Sequence, residues 1–420
     1  MLRQGLQVFT CCGMAPGKKG ERPSQSLILL RVLATDILAQ VYHTKDTLDE
    51  AVSTCLSRKS SKTFPEFDRS WLYEITSGVL RYRGRIDYII DTYALKKKPT
   101  GSLRRILQTG VFQLLAQEVE PALAVSETVQ AVRDTEGEQP SKFANALLRK
   151  IADAKDEWRA WKVSETSPFE EQLAWCSLPE WLFKKLRKER GSAWIFDFSE
   201  AVLTRPQIWY RASNQTVLLK DGYRGNEAPG FVQDISNQKL VEEVLALLKT
   251  KKEGLKILDL CSAPGGKSLA LASAGYSVIA TDLSEDRLQR VIENRSRLKF
   301  EDKIDIQPFD GVWNGSAKFD LIWIDAPCSS TGIVRRHPEI KWNRTQEDVE
   351  RVVQKQKELQ EWAALHLSED GVVIYSTCSV LAQENEVSPK FQLVKKLEWT
   401  PQEEPQGDGI SALVLRVPSV

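Results

Sequence analysis

The chain has 420 residues, more than one hydrophobic core usually supports, with the 42% hydrophobic and 27% charged content of an ordinary soluble protein of two or three domains. Its net charge of +1 conceals an asymmetry: residues 1–150 carry 22 Lys and Arg against 16 Asp and Glu, a basic front half suited to an anionic partner. Seven cysteines with no C-x-x-C pair exclude a disulfide framework and suit a reduced, cytoplasmic protein. No apolar run reaches a membrane span, since Leu27 to Val41 is broken by Arg31 and Asp36, and the opening has no signal-peptide core.

In chain order, residues 1–25 read as a disordered head. Residues 26–155 read as an all-helical domain. Leu27, Leu30, Leu33, Ile37 and Val41 mark one helix face, Trp71, Ile75 and Val79 another, and 103–117 and 127–132 predict further helices. A polar joint leads to a small mixed connector over 165–245, with a helix near 178–186 and a strand near Arg205–Arg211. From 246 to 420 short apolar runs alternate with helical stretches. The runs are 256–260, 278–281, 304–307, 319–324 and 372–376, separated by helices such as 286–298 and 349–367. That alternation predicts an α/β domain, a doubly wound parallel sheet of Rossmann-like type, with ligands at the carboxyl ends of its strands.

The chemistry-bearing residues fall at those ends. The first strand runs into Cys261-Ser262-Ala263-Pro264-Gly265-Gly266-Lys267, a turn whose glycines permit tight backbone and close ligand approach. The second strand ends in Asp282, the third near Asp310 and the fourth in Asp325. An acid after the second strand suits ribose hydroxyls, and S-adenosylmethionine, lacking a pyrophosphate, fits a turn without the full G-x-G-x-x-G. A phosphate-binding loop is the rival, because Gly266-Lys267-Ser268 resembles its end. That motif needs glycine where this chain has Cys261, and Pro264 removes a backbone donor.

Two cysteines follow strands: Cys328 in Asp325-Ala326-Pro327-Cys328, and Cys378 in Ser376-Thr377-Cys378-Ser379. A thiolate adding to C6 of cytosine makes C5 nucleophilic, and a second thiol can help end the covalent state. Asp325 is the natural group for N3 and the exocyclic amine. Spacing alone leaves open which cysteine attacks. His337 is a candidate base or loop-shaping residue, and no cluster has metal-ligand spacing. Arg335 and Arg336, beside the cysteine turn, are candidate RNA contacts, as are Arg81 and Arg83, with Arg85, Lys96–Lys98, Arg104 and Arg105, in the helical domain.

Together the 261–267 turn, Asp325–Cys328 with Ser329-Ser330-Thr331-Gly332, Arg335–Trp342, and Ser376–Val380 with Glu384-Asn385 resemble the RNA 5-methylcytosine methyltransferases of Sun/Fmu type. Residues 26–150 are similar to a NusB-type RNA-binding domain, through Asp68-Arg69, Gly78–Arg81 and Asn145–Arg149. The resemblance implies that Cys378 attacks C6 and that Cys328 assists release of the product. It places S-adenosylmethionine on Cys261–Lys267, Asp282, Asp310 and Asp325. It implies as substrate one cytosine of small-subunit ribosomal RNA, unpaired or flipped, met by a cytoplasmic monomer. A non-catalytic RNA-binding assembly factor is the alternative. Departures from the family pattern include Ser262 and Ser268 for common Ala and Thr, Gly311-Val312-Trp313 after Asp310, and Ile410-Ser411 for an aromatic pair.

Overall fold

The computed structural model describes residues 24–58, 66–117, 119–212, 215–218, 230–249, 254–309, 317–404 and 406–418. Asp310, the 311–313 run and most of the expected head lie outside the described residues. The described chain divides into two units. One holds the residues up to Leu203 together with His337–Asn343; the other holds Thr204–Arg336 and Arg344 onward.

The first unit is helical: α1 (Ser24–Thr44), α2 (Leu48–Arg58), α3 (Glu66–Tyr93), α4 (Gly101–Ala116), α5 (Pro121–Glu136), α6 (Glu138–Asp153), α7 (Lys155–Ala160), α8 (Phe169–Cys176), α9 (Glu180–Arg190) and α10 (Ser192–Leu203). The predicted faces are the core. Leu30, Leu33, Ile37 and Val41 pack with Ile75, Val79, Val111 and Leu148, all buried. Local signals set the ends: Pro121 opens α5 behind Glu120, whose side chain accepts from the Leu123 N–H, and Gly137 at φ 91 closes it. Arg31 crosses that core to pair with Glu127 at 2.5 Å, and burial of its guanidinium pulls its pKa down. The segment 337–343 seats on the same helices. Buried Lys341 donates to Arg81 O at 2.8 Å, Trp342 Nε1 to Leu80 O at 2.8 Å, and Glu339 accepts from Leu48 N at 3.3 Å.

The second unit opens with a three-stranded antiparallel sheet, β1 (Trp209–Ala212), β2 (Gln215–Leu218) and β3 (Phe231–Val232), in the order β2-β1-β3. There follow α11 (Ile235–Leu248), β4 (Ile257–Leu260), α12 (Gly266–Ser273), β5 (Val278–Asp282), α13 (Glu285–Arg297), β6 (Ile304–Pro308) and β7 (Phe319–Asp325). After β7 the chain passes through the short helix α14 (Ile340–Asn343), already met in the first unit. It returns with α15 (Gln346–His366), β8 (Leu367–Thr377), β9 (Gln392–Trp399) and β10 (Ile410–Arg416). The strands form one sheet in the order β6-β5-β4-β7-β8-β10-β9. The five predicted strands are present and mutually parallel. The sheet as a whole is mixed, because β10 inserts antiparallel between β8 and β9, neither of which pairings the apolar runs foretold.

Alternation along the strands fills both faces. Leu321, Trp323, Val372 and Ile374 pack with α11 and α12, while Ile322, Ile324, Val373 and Tyr375 face Leu359 and Ala363 of α15. No described helix is long and apolar enough to cross a membrane.

Two expectations test this packing. A Cβ on Gly78 would lie 2.0 Å from Cζ of buried Phe112, so Gly78→Ala forces apart α3 and α4. It should cost roughly 1–3 kcal/mol, read as a lower urea midpoint of the helical unit. Asp259, wholly buried on β4 and bonded by Ser268 Oγ at 2.5 Å, has its pKa raised to about 7 chiefly by burial. The unfolded carboxyl ionises near ~3.9, so its stabilisation is full below that pH and lost as pH rises through the folded value. Asp259→Asn should flatten that slope, narrowing the difference in unfolding free energy from urea titration between about pH 5 and about pH 8 by up to roughly 3 kcal/mol.

Candidate active site

Parallel strands that leave a sheet together deliver their following residues to one edge. Here β4, β5, β7 and β8 deliver the 261–267 turn, Asp282, Asp325 and the two cysteines. The turn is tightly wound. Cys261 has φ 68, Gly265 has φ 101, and Gly265 N donates to Ser262 O at 2.7 Å. At Gly265 a side chain would meet both the left-handed backbone and Val291 Cγ1 at 3.2 Å. Asp282 is 3% exposed and fastens the turn by accepting from Ala263 N at 3.3 Å and from Arg287 at 3.3 Å.

Lys267, at the start of α12, turns its ammonium to Asp325 Oδ2 at 2.5 Å and to Asn237 Oδ1 at 3.1 Å. Asp325 Oδ1 in turn accepts from Ser376 Oγ at 3.1 Å. This carboxylate is therefore held on both oxygens while its side chain stays 35% exposed, free to meet a ligand.

The thiols of Cys328 and Cys378 lie 3.2 Å apart, both partly exposed and not joined. Ser330 Oγ lies 3.4 Å from Cys378 Sγ and 3.9 Å from Cys328 Sγ. Hydrogen bonding from Cys328 holds the Cys378 thiol below its ordinary range against the opposing effect of burial; Ser330 and Lys267 add to the lowering, and Asp325 opposes it. The same hydrogen bond, then burial, pushes Cys328 well above that range. Cys261, at the same edge, is pushed up to about 12 by burial and then by Asp282, Asp325 and Asp259. A thiol in that environment is a poor nucleophile.

The loops carrying the pair are tied by backbone as well. Gly332 N donates to Cys378 O at 2.9 Å, and Gly409 N donates to Gly332 O at 2.8 Å. A Cβ on Gly332 would stand 2.9 Å from Cys378 O and 2.6 Å from Gly409 O.

The residues fit S-adenosylmethionine. Asp282 supplies acceptors at the end of β5, buried Ser262 Oγ and Gln233 Oε1 have no partner among the described residues, and the paired glycines leave the turn open to close approach.

Two of the arginines expected at RNA are buried. Arg335 is 1% exposed, its guanidinium given to Asp408 and to Gly407 O. Arg81 is 7% exposed in the helical core, its backbone carbonyl taken by Lys341. Arg336 is 26% exposed and pairs with Asp408 at 2.8 Å and Asp234 at 3.1 Å. Arg83, 29% exposed, lies between the rings of Tyr42 and Trp342, at 4.2 and 4.7 Å from their centroids. Arg104 is likewise engaged, by Asp87 and Asp91. His337 sits 3.5 Å from Glu339 in the helical unit, whereas the thiols belong to the other.

Several residues of the site were not singled out from sequence chemistry. Asn237 reaches Lys267, Ser268 bonds Asp259, and Glu384 is buried beneath both cysteine loops. The signal for the last was present: serine or threonine follows each cysteine, a set of donors in want of an acceptor.

Residues 245–413 match the family described as 16S rRNA methyltransferase RsmB/F, and residues 29–153 match the NusB family. The ribosomal RNA small subunit methyltransferase B of Cronobacter sakazakii is 32% identical, the match covering 91% of this chain and 93% of that protein. The protein of the same name from Citrobacter koseri is 31% identical with the same coverage of both chains. The crystal structure of PH0851 shares the fold, with a TM-score of 0.65 at 19% identity over 95% of this chain and all of that one. With such identity sustained over nine-tenths of its length, the chain belongs to the RsmB/F family of S-adenosylmethionine-dependent RNA cytosine methyltransferases, with a NusB-type helical region in front.

Proposed function

We propose that this protein methylates carbon 5 of one cytosine in small-subunit ribosomal RNA through a covalent bond between Cys378 and C6. The observation that carries the reading is the 3.2 Å thiol pair, with the Ser330 hydroxyl nearer Cys378. Of the two sulfurs, Cys378 is the one whose pKa its partners, Cys328 first, hold down while Cys328 is raised, and only the thiolate attacks.

In this reading Cys378 adds to C6, and charge develops at N3 and the exocyclic amine. Asp325, fixed by Lys267 and Ser376, meets those groups and holds the ring against the thiolate. S-adenosylmethionine, when bound, supplies an electrophilic methyl group; Cys261–Lys267, Asp282 and Asp325 would hold it, with Asp310 as the expected third acid. Once a general base has taken the C5 proton, the Cys378 sulfur leaves C6 as the double bond reforms. Cys328 stands where it can exchange a proton with that departing sulfur, which supports its role in release. Arg336 and Arg83, each partly exposed, are candidates for phosphate contact.

The test is an adduct assay on Cys328→Ala and Cys378→Ala with small-subunit ribosomal RNA and labelled S-adenosylmethionine. A stalled protein–RNA band on denaturing gels is expected from Cys328→Ala and none from Cys378→Ala. The reverse pattern would exchange the two roles. If the unaltered protein transfers no methyl to any RNA, the assembly-factor alternative replaces this reading.

A further inference from the structure

We infer that Glu384 is a positioning residue for the thiol pair: its carboxylate ties the loop of Cys328 to the loop of Cys378 and sets the distance between the two sulfurs. The inference deepens the proposed function, since it assigns Glu384 a part in the same reaction, and it rests on that reading for the roles of the thiols.

Glu384 is 1% exposed at the end of the 3-10 turn Ala382–Glu384. Its Oε1 accepts from Ser379 Oγ at 2.5 Å and from Ser329 Oγ; its Oε2 accepts from Ser329 N at 2.7 Å and Gln356 Nε2 at 3.2 Å. Ser329 is the residue after Cys328, and Ser379 is the residue after Cys378. One carboxylate thus grips each loop a single residue beyond its thiol. Gln356 also donates to Pro327 O at 2.9 Å, anchoring the assembly to α15, and Tyr375 Oη donates to the Glu384 carbonyl at 2.8 Å.

All four partners donate to the side chain, and its charge strengthens each of those bonds. Glutamine can keep the Ser329 N–H and the Gln356 amide on its oxygen only by turning its NH2 to the two serine hydroxyls, which must then accept, and the charge-assisted grip on both loops is lost. A buried group so placed touches neither substrate nor cofactor, so its influence passes through the sulfurs. Its negative charge also contributes to keeping Cys328 protonated, and therefore able to donate to Cys378. The other charges facing Cys378 are Asp325 and Lys267, which this clamp does not hold.

The experiment compares the full chain with Glu384→Gln in three readings. Thiol spacing is read as the yield of Cys328–Cys378 cross-link by dibromobimane. Thiolate formation is read as the pH profile of Cys378 alkylation by iodoacetamide, and the fold of the cofactor site as affinity for S-adenosylhomocysteine. We expect the cross-link yield to fall and the alkylation profile to move to higher pH. S-adenosylhomocysteine affinity should stay within about twofold, and kcat for RNA methylation should fall by about 10²-fold with little change in KM, as for a reacting group displaced by about 1 Å. Ser329→Ala, which keeps the carboxylate and removes one hydroxyl, should move the thiol readings the same way by less, and serves if the glutamine variant does not fold.

Unchanged cross-linking and alkylation in a folded variant would overturn the inference, whatever happens to methylation. Loss of S-adenosylhomocysteine binding in step with the thiol changes would also overturn it, since that marks a general structural role. If the thiol readings move as expected while the unaltered protein forms no RNA adduct, the clamp stands and the proposed function falls.

Discussion

Asp325 and Ser376 face each other across the parallel β7–β8 ladder, and the reactive edge depends on that register. Neighbouring strands lie about 4.8 Å apart, so two chains leaving side by side emerge within reach of one another. Cys328 comes three residues beyond Asp325 and Cys378 two beyond Ser376. The turns then need only small corrections to bring the sulfurs together. Ala326 N donates to Ser376 O at 2.8 Å, which continues the ladder one step past the strand and delays the divergence of the loops. A slip of one residue in this pairing would turn Trp323 and Ile324 to the wrong faces, so the packing of the sheet also protects the site.

The insertion of β10 matters for the same edge. By pairing with β8 from the other side, with Ser411 opposite Thr377, it brings Gly407–Gly409 against the cysteine loops. Asp408 then gathers Arg335 and Arg336, and Asp234, the cap of α11, joins them through Arg336 and the Asp408 N–H. Burying four charges together is costly unless each is paired and hydrogen-bonded, and these are. Between the two carboxylates, burial and the nearby Asp408 charge raise the pKa of Asp234. The two arginines answer that strain, which gives them a reason to stand side by side independent of any nucleic acid.

That network also shows which parts of the molecule could be read from the sequence. The five parallel strands are short, apolar and flanked by helices, so burial on both faces wrote them plainly. β9 is exposed along most of its length and carries Lys395 and Lys396, and it gains its strand character only by pairing with β10. The edge that gathers the 261–267 turn, Asp325 and the two cysteines was legible because loops after strands carry chemistry in this architecture. The fate of Arg335 was not. A basic pair beside a reactive turn looks the same in sequence whether it meets phosphate or a buried aspartate 72 or 73 residues away. Glu384 was visible only as part of a motif: its contacts with two serines 55 and 5 residues distant are united by the fold.

Three cysteines share the edge of the sheet and differ in acidity because their neighbours differ. Cys261 is raised first by burial and then by the nearby Asp282, Asp325 and Asp259, whose charge opposes a further anion there. Cys328 is surrounded by groups that want it protonated, the Cys378 sulfur first and Glu384 among the rest. Cys378 has the opposite setting: a thiol and a hydroxyl able to donate to its sulfur, and the Lys267 ammonium near enough to offset Asp325 in part. Lys267 therefore acts on both reacting groups of the proposed mechanism, pairing with the carboxylate while favouring the thiolate. An enzyme with two thiols in contact needs them unlike, one ready to give up its proton and one ready to hold it. The surroundings make them so, first by the hydrogen bond between the sulfurs and then by burial and fixed charge, since the two side chains are chemically identical.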